Sequence, residues 1–314
     1  LFYVPYLLTK KYDKILVFTY SPILMALSGI IVGKLKRTEV TLFALDLWPE
    51  NLFSVLKTKN RLLRWLATVV SHWHYKRADK IVAATDKMRQ IIIDITGLDK
   101  SMAVTLPQAS EKIFEKQVHD KKLAARFKRG FNVVYTGNIS PAQSFGTIVS
   151  AAKKLKAEGF KDINWIIVGD GMSRKDAETD VKKAGLSKDF YFEGFKPQED
   201  IPGYTGIADA LVGGLVKSDL LEASIPAKVT SYIAAGRPMV MYLDGEARDL
   251  INDHAKSGFA GPTEDVDTLA ENIKKVYKMT PKERDAMGTR ARKYHFKHLE
   301  RNVVYARLYE FIFD

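Results

Sequence analysis

Phe131-Asn-Val-Val-Tyr-Thr136-Gly137-Asn138-Ile-Ser140-Pro-Ala-Gln143 opens the stretch that decides the fold. A β-rich run ends in glycine, and Pro141 stands where a helix can begin. Apolar spacing predicts a helix over 142–157, then a second strand over 164–168 that closes in Gly169-Asp170-Gly171. Strand, helix and strand at this spacing form a βαβ unit, which joins parallel strands. Toward the carboxyl end the pattern repeats, with strands near 190–192, 209–215 and 238–242. Helices are expected near 198–205, 226–235, 246–253, 266–277 and 281–312. Toward the amino end lie strands over 14–20, 40–45, 80–84 and 102–106. Helices are expected there over 22–35 and 61–77, and another follows Thr85-Asp86, a capping pair. Residues 107–130 break the series, which places a domain boundary there. The expected class is α/β, with two tandem doubly wound, Rossmann-like domains. Ligands in such sheets bind beyond the carboxyl ends of the strands.

The 314 residues are 46% hydrophobic and 27% charged, which excludes disorder and collagen-like repeats. There is no cysteine, so disulfides, thiolate metal sites and cysteine nucleophiles are excluded. Net charge is +12, and residues 1–106 hold 16 Lys and Arg against 8 Asp and Glu. Such a region suits an anionic partner, or is simply a solvated basic surface. The longest apolar run, 21–33, is shorter than the roughly 20 residues a membrane span needs. The chain begins Leu1-Phe-Tyr-Val-Pro5 without an initiator Met. That start reads like the middle of an element, and residues upstream are expected.

Post-strand loops come next. Gly137 and the helix start after Pro141 suit a phosphate or make an ordinary turn. Gly169-Asp170-Gly171 and Gly194-Phe195-Lys196-Pro197 allow close backbone approach, or are plain turns. Lys228, just after Pro226, falls in the first turn of a helix, where a cation opposes the helix dipole. A bound diphosphate would offset that opposition. In the first half, Asp46-Leu-Trp48-Pro49-Glu50 brings two carboxylates and an indole to a strand end, a candidate acid/base or sugar site. His72 and His74 do not share a helix face. His295 and His298 lie among Arg292, Lys293, Lys297 and Arg301, so a solvated face is expected. No Gly-x-Ser-x-Gly elbow and no Walker lysine motif is present.

In this order the loops resemble family 4 glycosyltransferases of the GT-B fold, closest to the WbuB-like branch of bacterial surface-polysaccharide synthesis (O-antigen, capsule, exopolysaccharide). The motifs are Asp46-Leu-Trp48-Pro49-Glu50-Asn51, Tyr135-Thr-Gly137-Asn138-Ile139 with Ala142-Gln143, Val168-Gly169-Asp170-Gly171, and Gly194-Phe-Lys-Pro197. Ile201-Pro-Gly-Tyr204, Ala208-Asp209-Ala210, Pro226-Ala-Lys228 and Tyr232-Ile-Ala-Ala-Gly236-Arg-Pro238 complete the set. The resemblance implies a retaining hexosyltransferase that needs no metal or other cofactor. An incomplete acceptor domain would span 1–115 and a nucleotide-sugar domain 116–295, with a helix over 296–314 returning to the first domain. Gly137, Asn138 and Gln143 would line the diphosphate and sugar, and Gly169 and Asp170 would flank the nucleotide. Gly194, Phe195 and Lys196 would meet the base, and Lys228 and Tyr232 the diphosphate and ribose. Asp46 and Glu50 would be catalytic.

The resemblance further implies a UDP-linked donor and a polyprenyl-diphosphate-linked acceptor at the inner face of the cell membrane, with the enzyme cytoplasmic and peripheral. Lys57, Lys59, Arg61 and Arg64 beside Phe53, Leu62, Leu63, Trp65 and Leu66 suit an interfacial helix, or a core-packed helix with a basic outer face. Two features depart from the family. Ala223 and Ser231 stand where many members carry a pair of glutamates, and Asn138, Gln143 and Ser144 stand where many carry diphosphate-binding cations. Lys228 is therefore the main cationic candidate. A nucleotide-sugar 2-epimerase of the same architecture and a non-catalytic membrane scaffold are the alternatives. No nucleic-acid-binding motif is present.

Overall fold

The computed structural model describes residues 2–19, 21–50, 52–53 and 60–314; Asn51, Lys57 and Lys59 lie outside them. The chain divides into two compact units. One comprises Leu1–Gln108, Ala223–Ile225 and Asn302–Asp314, and the other Ala109–Glu222 and Pro226–Arg301.

The first unit holds a parallel sheet of β1 (Ile15–Thr19), β2 (Val40–Ala44), β3 (Lys80–Ala83) and β4 (Ala103–Thr105), in that order. Every residue of β2 and β3 is buried, as expected where both faces of a parallel sheet are covered. Phe43, Val82 and Leu106 pack with Leu308 and Ile312 of the chain's last helix, Arg301–Phe313. Lys80 Nζ donates to the carbonyl of Phe311 at 2.9 Å, which ties that helix's end to β3. Thr85 caps helix Asp86–Thr96 by accepting from the Met88 amide at 3.1 Å.

The second unit holds β5 (Phe131–Thr136), β6 (Ile163–Val168), β7 (Phe190–Gly194), β8 (Ala210–Gly214), β9 (Met239–Tyr242) and β10 (Gly258–Gly261). Their order is β10-β9-β8-β5-β6-β7, all pairs parallel. The chain winds outward from β5 through β6 and β7, then resumes on the other side of β5 with β8. The topological switch point therefore falls between β5 and β8, and doubly wound sheets bind ligands beyond the strands' carboxyl ends at such a point. Helices Phe145–Ala157 and Val266–Lys278 bury Ile148, Leu155, Leu269 and Ile273 against this sheet.

Three features differ from the sequence reading. Strand β10 went unseen because Gly258 and Gly261 bracket it, and glycine carries little strand preference. The helix expected over 281–312 is two helices, Pro281–Tyr294 and Arg301–Phe313. They are separated by a π-turn over His295–Leu299 and by extended Glu300. His295 is not on a solvated face. It is fully buried, with Nε2 3.2 Å from Glu115 Oε1 and Nδ1 3.4 Å from Ser110 Oγ. That pull inward accompanies the wider turn. Desolvation holds the His295 imidazole below its ordinary range, with Glu115 acting in opposition.

Candidate active site

Two glycines end the neighbouring strands β5 and β6 at the carboxyl edge of the sheet. Gly137 follows β5 with φ 125°, and Gly169 follows β6 with φ 141°. The Gly137 amide donates to the Val168 carbonyl at 2.9 Å, and the Gly169 amide to the Gly194 carbonyl at 2.8 Å. A Cβ on Gly169 would fall inside the carbonyl of Gly137, so the loops after β5 and β6 meet backbone to backbone. The Ile139 amide adds a bond to the Asp170 carbonyl at 2.9 Å. Gly137, Asn138, Gly169, Asp170 and Gly194 thus form one continuous seam.

Lys228 stands over that seam from helix Ala227–Ala235, one residue further into the helix than its first position. Pro226 is the N-cap residue, and its side chain supplies no capping bond. The Lys228 side chain passes beside both Gly137 and Gly213. A Cβ on Gly137 would lie 3.4 Å from its Cε, and one on Gly213 3.0 Å from its Cδ. Nζ donates to Gln143 Oε1 at 3.1 Å and lies 3.7 Å from the Tyr135 ring centroid. Desolvation pulls the Lys228 ammonium down to about 7. A cation held by an amide oxygen and a ring face, beside amides at a helix start, is prepared for an anion.

Three tyrosines hold this arrangement from below. Tyr135 donates to the Asn138 carbonyl at 2.6 Å, and Tyr242 to the Gln143 carbonyl at 2.7 Å. Tyr232 is 1% exposed, and its hydroxyl accepts from the Thr136 amide at 2.8 Å. Tyr232 therefore supports the end of β5 and does not reach the surface. Burial pushes Tyr135 and Tyr242 above the ordinary phenol range and Tyr232 up to about 12. Sequence reasoning passed over Tyr135 and Tyr242 because they read as strand residues. Their one signal is a hydroxyl that must find a partner inside a core.

At the β7 edge the Asp170 carboxylate accepts from the Gly171 amide at 2.8 Å and from Arg174 at 3.1 Å. These bonds, the amide first, hold it below the usual carboxylate range. Phe195 is 77% exposed and follows Gly194 directly; Lys196 beside it is half-buried.

Asp46 and Glu50 belong to the first unit. Asp46 Oδ2 accepts from Ser21 Oγ at 2.8 Å, and the Trp48 indole donates to the same Oγ at 3.2 Å. The Trp48 amide donates to the buried Tyr75 hydroxyl at 3.1 Å. Burial first, then the nearby Glu50 and Asp46, push Tyr75 well above the phenol range. Glu50 Oε2 and His74 Nε2 are shielded from solvent and have no hydrogen-bond partner among the described residues. Tyr75 ends helix Arg61–Tyr75, which Asn60 caps by accepting from the amides of Leu62 and Leu63. The helix buries Ser71, His74 and Tyr75 and exposes Leu62, Trp65, Leu66, Val69 and Trp73. Trp65 is 59% exposed, so the core-packed alternative does not describe this face. Among the described residues no helix is long and apolar enough to cross a membrane.

The family model for glycosyl transferases group 1 matches residues 115–294. A 2-deoxystreptamine glucosyltransferase of Streptomyces kanamyceticus is 27% identical over 230 residues, 71% of this chain and 58% of that protein. The amylovoran biosynthesis glycosyltransferase AmsK of Erwinia amylovora is 24% identical over 188 residues, 58% of this chain and 46% of that protein. The chain spans about half the length of the curated relatives it matches. Among solved structures, Anabaena Alr3699/HepE in complex with UDP superposes with a TM-score of 0.79 at 16% identity. That match covers 98% of this chain and 80% of the other. It shows a shared fold.

Proposed function

The chain belongs to the glycosyl transferases group 1 family, and from that premise we propose that it moves a hexosyl group from a nucleotide-diphospho-sugar to a saccharide acceptor. One observation carries the reading: Lys228 and the start of its helix stand over the Gly137–Gly169 seam at the switch point of the second unit. In the transfer step the bond from sugar to diphosphate breaks and the leaving diphosphate gains charge. Lys228, in the first turn of helix Ala227–Ala235, and the amides of that turn stabilise this charge. Gln143 orients Lys228, while Asn138, Asp170 and Gly194 border the nucleotide, with Phe195 and Lys196 at the base. Tyr232 acts from below, by fixing Thr136. Because the similar HepE structure carries UDP, UDP is the first nucleotide to try.

The first unit takes the acceptor. Asp46 orients the attacking hydroxyl or steadies the positive charge that develops on the sugar. Glu50 Oε2, shielded and unpartnered among the described residues, accepts from an acceptor hydroxyl. A lipid-linked acceptor at an anionic membrane surface fits the exposed Leu62, Trp65, Leu66, Val69 and Trp73. No acidic residue occurs between Glu50 and Asp79, while Arg61, Arg64, Lys76 and Arg77 supply positive charge. Surface-polysaccharide synthesis is the pathway class that joins these parts.

Thermal shift of the full chain with UDP, GDP, ADP and TDP tests the donor site. A ligand at about 100 times its dissociation constant adds about 2.7 kcal/mol, a rise of several degrees. Selective stabilisation by one nucleotide is expected. No shift with any of the four would remove the donor reading.

A further inference from the structure

Arg37, Ser144, Lys256 and Glu264 are the non-glycine residues with positive φ among those described, and two of them touch. Ser144 has φ 43° and Glu264 φ 59°. Ser144 Oγ donates to Glu264 Oε1 at 2.9 Å, and the Lys217 amide donates to Oε2 at 3.1 Å. Glu264 follows β10, Lys217 follows β8, and Ser144 ends the loop after β5 just before helix Phe145–Ala157. One carboxylate therefore gathers three loops at the carboxyl end of the sheet. The Val216 amide also bonds the Ala142 carbonyl at 2.9 Å. Glu264 is itself held firmly. Its neighbour Thr263 donates through Oγ1 to Asp244 at 2.8 Å, and Asp265 accepts from the Thr268 amide at 2.9 Å.

Resting on the donor-site reading, we propose that Glu264 is a positioning residue for donor binding: by holding Ser144 in its left-handed turn it places Gln143, and through Gln143 the ammonium of Lys228. A serine in this conformation is disfavoured unless its surroundings hold it there. The Glu264 carboxylate supplies the hold from across the sheet, beside the local bonds of Ser144 Oγ with Thr147 Oγ1 at 3.0 Å and of its carbonyl with the Thr147 amide at 2.9 Å. The adjacent Gln143 is then fixed twice, its carbonyl by Tyr242 and its side-chain oxygen by Lys228. Without the clamp the loop relaxes toward right-handed or extended backbone. The amide oxygen that orients Lys228 then moves with it. Glu264 is exposed and outside the core, so its loss reaches the donor site before it reaches the fold.

Isothermal titration of the full chain with UDP, and with GDP in parallel, tests this in wild type, Glu264→Gln, Ser144→Gly and the double variant. Glu264→Gln should raise the dissociation constant about five- to tenfold, the equivalent of one or two hydrogen bonds. The melting midpoint of the free protein should move by no more than about 2 °C. Ser144→Gly should bind nearly as wild type, because glycine adopts the turn unaided. In that background Glu264→Gln should change affinity by less than about twofold, the additive limit expected once the clamp has no strain to hold. This rescue separates positioning from general support, which glycine at 144 would not restore. An unchanged affinity in Glu264→Gln, or a loss that Ser144→Gly does not rescue, would overturn the proposal and leave the donor reading standing. If Glu264→Gln and Glu264→Asp both unfold, Glu264 belongs to the fold and the proposal fails. If wild type binds neither nucleotide, the donor reading fails and the clamp fails with it.

Discussion

The strand ends of the two units solve the same problem in opposite ways. In the second unit the loops after β5, β6 and β7 are bonded backbone to backbone, and buried tyrosines close the remaining gaps. The polar groups under Lys228 have partners before any ligand arrives. In the first unit, Glu50 Oε2 and His74 Nε2 are shielded with no partner among the described residues, and helix Arg61–Tyr75 turns an apolar stripe outward. A satisfied site is prepared for a constant group such as a diphosphate. A site with open valences is stabilised only when a hydroxyl-bearing ligand completes it. The contrast supports the proposed division, with the donor on the second unit and the acceptor on the first.

The largest effect should come from breaking the seam. Gly169→Ala forces a methyl group into the Gly137 carbonyl at a φ of 141°, and should destabilise the protein by about 3 kcal/mol or more in denaturant unfolding. A variant within 0.5 kcal/mol of wild type, a margin of about measurement size, would mean that the loops are not in close contact.

Asp46→Asn should next lower turnover by about a hundredfold, while nucleotide affinity measured by titration stays unchanged. A parallel loss of nucleotide affinity would erase the division of labour between the units.

The charge on Lys228 offers a graded test. Its folded-state value near 7 lies far below that of an exposed lysine, so the free site is largely neutral above pH 7. A diphosphate binds the ammonium form and raises its pKa. Affinity for UDP should therefore be highest below pH 7 and fall by up to about tenfold per unit above it, until the bound-state value is reached. Lys228→Arg should flatten this profile, because guanidinium stays charged. A flat wild-type profile between pH 6 and 9 would show that Lys228 is charged throughout.

Smaller effects should sharpen the acceptor side. Glu50→Gln keeps the side chain's shape while changing the group that carries the shielded Oε2, and should alter stability by less than about 1 kcal/mol while weakening use of the acceptor. Trp65→Ser should change stability by less than about 0.5 kcal/mol, since the ring is largely exposed, yet reduce binding to anionic vesicles. Unaltered vesicle binding would sever the stripe from the membrane.

Much of the fold was legible because parallel strands buried on both faces read as unbroken apolar runs, as in Val133 to Tyr135 and Ile166 to Val168. The glycine-ended loops were legible because close backbone approach admits little else. Strand β10 was not, since its glycines erase the strand signal. The break at His295 was not, because a helical spacing of apolar residues continues through it while the cause lies far away in sequence, at Ser110 and Glu115. At the candidate site, Lys228 could be found from its awkward place in a first turn. Tyr242 and Glu264 could not, because their partners lie 99 and 120 residues away and are brought near by the sheet, and Tyr135, three residues from its partner, reads as a strand residue. Tyr232 was singled out in the sequence, but only the packing shows it buried and bonded to Thr136 beneath the strand end.

The most direct test of the account is the affinity of UDP for wild type and for Lys228→Met at pH 6.5, a variant that keeps the side chain's length and removes its charge. The account predicts measurable binding by wild type and a loss of at least about thirtyfold in the variant, the equivalent of about 2 kcal/mol for a charge-assisted contact. Equal affinities would contradict it, because the diphosphate would then be held somewhere other than the seam beneath Lys228.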